Sequence, residues 1–524
     1  MKKIYIITAL FGLLALGGCK KFLDVNTNPN NPEKVEANLY LSPMLHWMIT
    51  APTFDARFVG RYTQNWTLTS VSSTWDRMGY DPSSDNGGQI FRMTYFDFGQ
   101  NLVDMNKRAQ DEQRWDLLGV GQILKAWGWI TATDLHGEII VKEAINANQT
   151  TFAYDTQQYA YEESIRLLDA AIANLKRTDG GVNAAVLGKT DIIYKGDVTK
   201  WIKFANSLKA MILNHYSNKA SYKPDDVIAL VDAGLSSNAD DPLLSYTGTA
   251  NDDINFYAAA RDNLTSYRQT RFILSLLDGT ITGGVIDPRM SRMLSPSPDG
   301  AYRGLEPTFG IGALTAAQQP NNFWGYTTLA LANASISTPS RYVFARKTKM
   351  PAFTYAQLQF IKAEAAYKKG DKVTALDAYT KGISAHFDFV NSRNTDDGQS
   401  PTQISSAEKA TYMASPAVIP TNANALTLSQ IMCQNYIAQW GWGHLEQWMD
   451  LRRYHYTDKD PVTGNQVFVG FITPVNIYPD NATKLVYRIR PRYNSEYVWN
   501  RAELDKIGGL AVDYHTKETW ITLP

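Results

Sequence analysis

The sequence predicts a mostly α-helical fold, a scaffold of paired helices that carries long irregular loops. Three observations predict it. Apolar residues recur at i, i+3, i+4 and i+7 in several separate stretches, the mark of a helix with one buried face. Residues 355–384 hold two such stretches joined by Gly370-Asp371. Between the helical stretches, residues 62–95, 240–265, 280–350, 390–425 and 455–525 are rich in Gly, Ser, Pro, Asn and aromatic residues. Loops of that length in a compact protein are functional or carry small substructures.

Taken in order, the chain opens on Met1-Lys2-Lys3, an apolar run over residues 4–16, and Leu16-Gly17-Gly18-Cys19. A basic start, a short apolar run and a small-residue cleavage site make a secretory leader, and the run is too short to span a bilayer. Ending on Cys, the segment resembles a bacterial lipobox. Residues 1–18 therefore read as a lipoprotein signal and Cys19 as the lipidated first residue; a plain signal peptide with a chance Cys is the alternative. Several acyl chains, each CH₂ contributing ~0.8 kcal/mol in the membrane, hold such a protein firmly. Residues 19–35 contain Asn26-Thr27-Asn28-Pro29-Asn30-Asn31-Pro32, a turn-forming and extended segment. It reads either as a tether or as a loop wrapping the body.

Residues 36–524 then read as one helical domain. Leu117, Val120, Leu124 and Trp127 define one apolar face, and Ile165, Leu168, Ile172 and Leu175 a second. Trp201, Phe204, Ala205, Leu208, Met211 and Ile212 define the clearest one. In residues 355–384, Leu358, Ile361 and Ala365 line a first helix and Val373, Leu376, Tyr379 and Ile383 a second. The pattern Ala366-Tyr367-x-x-Gly370-Asp371-x-x-x-Ala375-Leu376-x-x-Tyr379 resembles a tetratricopeptide unit. One such unit cannot bury its face alone, so the helices near 117–135, 160–176 and 199–217 are expected to stack with it.

Composition narrows the function. Lys+Arg and Asp+Glu are equal at 51 each, without the basic excess or stripe of a nucleic-acid binder. Besides Cys19 the chain has only Cys433, in an apolar stretch, which reads as a small buried hydrophobe; without an internal disulfide the fold rests on core packing. The seven His are scattered, and no His-Glu-x-x-His, Cys-pair zinc site, Gly-x-Ser-x-Gly elbow or phosphate loop occurs. A glycosidase needs only two carboxylates, for which Asp97, Asp104, Asp252 and Asp253 are available. Asp252-Asp253 lacks EF-hand spacing, so neither a metal nor another cofactor is expected, and a structural calcium ion is not predicted.

Several segments, in order along nearly the whole mature chain, resemble one family. Residues 19–30, Cys-Lys-Lys-Phe-Leu-Asp-Val-Asn-Thr-Asn-Pro-Asn, look like the mature start of the SusD/RagB-like outer-membrane lipoproteins of Bacteroidetes. Ala126-Trp127 through His136-Gly137-Glu138 to Ala144 is similar to the family's helix and following segment, with Ile140 or Val141 where Pro is usual. Asp191-Ile192-Ile193-Tyr194-Lys195-Gly196-Asp197 with the segment from Trp201 to Lys209 is the most specific match. Asp287-Pro288-Arg289, Gln434-x-Tyr436-Ile437-Ala438, Glu446-x-Trp448 and Arg452-Arg453 complete it. The Glu-Arg and Glu-Gly signatures of the starch-binding branch are replaced here by Tyr436-Ile437-Ala438 and His444-Leu445, so the chain resembles a divergent branch.

The resemblance implies a non-catalytic, cell-surface lipoprotein that binds an oligosaccharide or polysaccharide. It implies a SusC-like TonB-dependent outer-membrane transporter as partner, an outward-facing position on the outer membrane, and a tetratricopeptide-like helical fold. Peptide or another nutrient in the same architecture is the second reading, and a glycoside hydrolase the third. Sugars stack their C–H faces on flat rings and hydrogen-bond around them. Residues 62–95 offer Trp66, Trp75 and Tyr80 with Asp76 and Arg77 between them; residues 321–326 offer Trp324 and Tyr326 beside Asn321 and Asn322. In the family, aromatics from regions resembling these two help to form the glycan face. The expected ligand-binding set is therefore Trp66, Trp75, Asp76, Arg77, Tyr80, Trp324 and Tyr326.

Overall fold

The computed structural model describes residues 36–71, 73–81, 85–327 and 340–524. The readings of the leader, the Cys19 anchor and the tether fall outside them. Helices dominate, as the periodicity predicts. In chain order the main ones are α1 (Leu41–Tyr62), α2 (Gly99–Asp111), α3 (Trp115–His136), α4 (Gln157–Leu175), α5 (Val198–His215) and α6 (Pro224–Asp232). They continue with α7 (Tyr355–Lys369), α8 (Lys372–Arg393), α9 (Leu428–Gln439) and α10 (His444–Arg453). Strands are short: β1 (Trp66–Leu68), β2 (Leu243–Leu244), β3 (Tyr267–Gln269) and β4 (Met350–Pro351). β1 pairs antiparallel with β3, Thr67 opposite Arg268, and β2 pairs antiparallel with β4.

The helices stack in succession, α3 on α4, α4 on α5, α5 on α6, α6 on α7 and α7 on α8. Then α9 packs on α7, and α10 returns to α1. Local chemistry sets where they start. Thr156, Asp197, Thr354 and Asp371 each accept a backbone N–H at a helix N-terminus. At the predicted turn, Gly370 takes φ +89°, the left-handed conformation that ends α7. Gly382 lets α8 approach α7 closely, since a Cβ there would lie 2.8 Å from the Phe360 ring. A buried cluster runs from Ala37 to Ile521 and takes in the predicted faces of α3, α5 and α7. On α8 it takes in Tyr379 and Ile383, with Leu376 packed at its edge, but Val373, expected on the same face, lies in the first turn and is exposed.

The motif segments turn out to be structural. Asp191, fully buried, accepts from the backbone N–H groups of Ile193, Tyr194 and Gly196 and from the Trp201 indole. Arg289 is fully buried and paired with Asp287 at 2.6 Å, with further bonds to Gln434 and His386. In α10, Arg453 pairs with Glu364 of α7 at 2.8 Å and with Asp450 at 2.5 Å. Glu446 meets His215 of α5 at 3.0 Å, and Arg452 donates to the Asp134 carbonyl of α3. One helix thus ties three others together through buried polar groups. Such pairs add little net stability, but removing one partner costs about 3–5 kcal/mol because it strands a buried charge.

Candidate functional site

The loops expected to present rings to solvent instead fold inward. Trp66 is 0% exposed, donates its indole N–H to the Ala56 carbonyl and lies over Gly60, where a Cβ would sit 2.7 Å from the ring. Trp75 is packed between Phe58 and Tyr62, each 5.0 Å away, and against Tyr80 at 5.2 Å. Tyr80 is buried as well and donates to the Asn86 carbonyl. Trp324 is buried with its N–H on the Tyr257 carbonyl. Asp76 is a buried partner of Arg61 at 2.7 Å. Arg77 is half-buried and donates to the Asn476 carbonyl and side chain.

These placements correct the expectation of an open ring platform built from Trp66, Trp75, Tyr80 and Trp324, with Asp76 and Arg77 beside it. The physical reason is that the polar residues between the rings satisfy backbone groups, which lets the rings enter the core as large buried areas. Tyr326 alone of the set is well exposed, at 42%.

An exposed aromatic groove exists elsewhere, between two π-helical segments, Met93–Phe98 and Tyr493–Tyr497. Single π turns appear frequently at functional sites because the extra residue re-aims a side chain. Here the first segment buries Met93, Thr94 and Phe98 but turns Phe96 outward, 67% exposed. Two connected hollows flank that ring. One, of about 550 Å³, is bounded by Phe91, Arg92, Phe96, Arg492, Ser495 and Glu496. The other, of about 580 Å³, is bounded by Trp47, Asp97, Gln100, Asn101 and Asn146. Tyr95, Phe96, Ile145 and Phe152 line both.

Each wall is held by named contacts. Asp55 of α1 accepts the N–H groups of Gln89 and Ile90 and so caps the turn that leads into the first π segment. Burial pushes the Asp55 carboxyl up to about 7 despite those two donors. The Tyr95 hydroxyl is bonded to both the N–H and the carbonyl of Ile140. Asn500 bonds both backbone groups of Phe152, and Glu496 is hydrogen-bonded by Asn500 and Tyr154. Asp85 pairs with Arg492 at 3.2 Å and caps Tyr493. Ile145 sits at φ +61°, a backbone conformation that costs a β-branched residue about 1–3 kcal/mol.

The groove combines stacking faces with polar groups that have capacity to spare. Arg92 lies 5.1 Å over the Phe96 ring and 5.9 Å over Trp47, holding both by cation–π attraction. Asp97, 3.9 Å from Arg92, keeps one buried carboxylate oxygen without a hydrogen-bond partner. Burial raises its pKa, with Arg92 opposing. Gln100, Asn101 and Asn146 add amides at the rim. A flat polyhydroxylated ligand finds here a ring to lie on and amides that donate and accept, with the largely buried Asp97 carboxylate behind them.

Periodicity could not have located Phe96. A π turn breaks the 3.6-residue pattern, so Met93-Thr94-Tyr95-Phe96-Asp97-Phe98 reads as buried helix. Trp47, Phe152, Arg492 and Glu496 come from segments far apart in sequence.

As for metals, among the described residues Asp134, His215 and Glu446 bring ligand atoms within 4.8 Å of one another, all buried. His215 Nε2 is hydrogen-bonded to Glu446 at 3.0 Å, whereas its Nδ1, 3.9 Å from Asp134, has no hydrogen-bond partner. Burial pushes the Glu446 carboxyl up to about 8 and the His215 imidazole down to about 4.

Residues 29–469 match the SusD-like family described as starch-binding and associating with the outer membrane. Solved structures are similar over nearly their whole length. A SusD homologue from Bacteroides fragilis superposes with a TM-score of 0.69 at 18% identity, covering 94% of this chain and 100% of that one. A chitin-binding SusD homologue from Flavobacterium johnsoniae gives 0.65 at 21% identity, covering 93% and 99%. A SusD/RagB family protein from Bacteroides thetaiotaomicron gives 0.66 at 19% identity, covering 93% and 99%. No curated protein sequence matches.

Proposed function

The chain belongs to the SusD-like family, and from that premise we propose that it is a non-catalytic glycan-binding lipoprotein of the outer membrane. It captures oligosaccharide at the cell surface for a partner TonB-dependent transporter of the SusC-like kind. The observation that carries this reading is Phe96. A large apolar ring 67% exposed, in a groove with rim amides and an acidic residue in its lining, suits the face of a sugar. The family match and the chitin-binding neighbour support glycan as the ligand class. Among the described residues no helix is long and apolar enough to cross a membrane, which is consistent with attachment through a lipidated Cys19.

Binding in this groove needs no catalytic group. The ligand's apolar face covers Phe96, and Gln100, Asn101 and Asn146 bracket its hydroxyls. Burying a Phe ring is worth about 1.5–3 kcal/mol, roughly tenfold to a hundredfold in affinity. The test is a glycan array on protein beginning after Cys19, followed by titration of each hit with Phe96→Ala and Trp47→Ala. Loss of at least tenfold in Phe96→Ala, with an unchanged melting temperature, is expected. Wild-type affinity in both variants would remove the groove from the account, and an array without a single hit would remove glycan.

A further inference from the structure

Behind the first π segment lies a third, smaller hollow of about 190 Å³, whose floor is α3 and whose outer wall is Ala144–Ile145. Ile145, in a strained backbone conformation, borders this pocket and both halves of the groove, and Ala144 borders the pocket and one half, so these two residues stand between inside and outside. Thr94 lines the pocket from the same turn that presents Phe96 to the groove.

Among the described residues the pocket contains two unpaired donors, Lys125 and the Trp129 indole, and no anion; the one unpaired acceptor in its lining, the Asn106 side-chain oxygen, is neutral. Lys125 reaches it from α3 and makes no hydrogen bond or ion pair among the described residues. Burial lowers its pKa, as expected for an ammonium partly removed from water. Glu163, the carboxylate that acts on it, is already held by both arms of Arg166 at 2.7 Å. Trp129 lines the same pocket, is buried, and has an indole N–H with no partner. Lys donates three hydrogen bonds and accepts none, and the indole only donates. A buried donor left unmade is costly, and an unpaired charge more so.

We propose that this pocket is an inner subsite for the carboxylate of an acidic sugar unit, so that the groove selects glycans containing hexuronic acid. The inference rests on the glycan reading of the groove and narrows it. A carboxylate supplies two acceptor oxygens and one negative charge, matching an ammonium and an indole N–H. A hydroxymethyl group in its place leaves the ammonium uncompensated. Ala144 and Ile145, the latter at φ +61°, form the wall between the groove and this pocket.

The experiment titrates the protein with uronic-acid oligosaccharides from galacturonan and from alginate, each against its carboxyl-reduced neutral form. Wild type is expected to bind an acidic form at least tenfold more tightly than its reduced form. Lys125→Met removes that preference, Lys125→Arg retains most of it, and Phe96→Ala weakens both forms alike. Equal binding of acidic and reduced forms, or a preference that survives Lys125→Met, overturns the acidic subsite. Phe96-dependent binding in that same result keeps the glycan groove. Failure of every uronate to bind also overturns the subsite, and starch and chitin oligosaccharides in the same assay then decide whether the groove binds glycan at all.

Discussion

Trp75 and Phe96 are both aromatic residues between polar neighbours, and what distinguishes them is what covers the ring. Trp75 is enclosed by Phe58, Tyr62 and Tyr80, whereas Phe96 has Arg92 on one side and solvent on the other. Truncation separates them by readout. Trp75→Ala costs about 3–5 kcal/mol of folding stability in chemical denaturation, while Phe96→Ala stays within about 0.5 kcal/mol and loses ligand instead. Titration provides a second residue-scale outcome. Burial raises Glu446 from 4.5 to about 8, so the folded protein holds a proton there that the unfolded chain releases above its lower pKa. That contribution is complete below about pH 4.5 and is lost as pH rises toward 8. Glu446→Gln removes this dependence. Its melting temperature relative to wild type therefore climbs between pH 5 and 8, and a constant difference would refute the shift. The buried rings were misread because a Trp in a polar segment gives no sign of which way its loop folds. Lys125 and Trp129 were missed because both lie on a helix whose pattern reads as core.

At the scale of elements, legibility followed regularity. The faces of α3, α4, α5 and α7, and of α8 from Ala375 onward, were visible because helical spacing repeats over several turns and a cap or glycine marks the ends; Val373 keeps the spacing but sits exposed in the first turn of α8. The hairpin was legible to its turn, Gly370-Asp371. The two π segments were not, since one inserted residue shifts the register without changing composition. The α1 helix also went unread, because Pro52 interrupts its pattern although the helix continues through it. Close packing of the hairpin gives a direct check. Gly382→Val places methyl groups where the Phe360 ring now lies, and overpacking of this kind costs about 1–3 kcal/mol. Thermal unfolding reads it, and an unchanged melting temperature would mean that α7 and α8 are not so closely apposed. Arg453→Ala, which strands Glu364 and Asp450 where α10 meets α7, costs about 3–5 kcal/mol.

For the whole molecule, a stack of helical pairs fixes α1 and α3, and these carry the first π segment and its pocket, while the C-terminal segment closes the groove from the other side. A lipid anchor at Cys19, as proposed, would place this body at the membrane. Full-length protein is expected in the outer-membrane fraction and labelled by palmitate, and Cys19→Ser in neither state; an unlabelled wild type would leave only a cleaved leader. The central claim is that ligand lies between the two π-helical segments. Hydrogen–deuterium exchange, with and without a saturating oligosaccharide from the array, tests it most directly. Protection is expected over residues 91–101, 140–152 and 492–500. Protection confined to residues 66–80 and 321–327, with the groove unchanged, would contradict the claim and return the site to the loops that the fold buries.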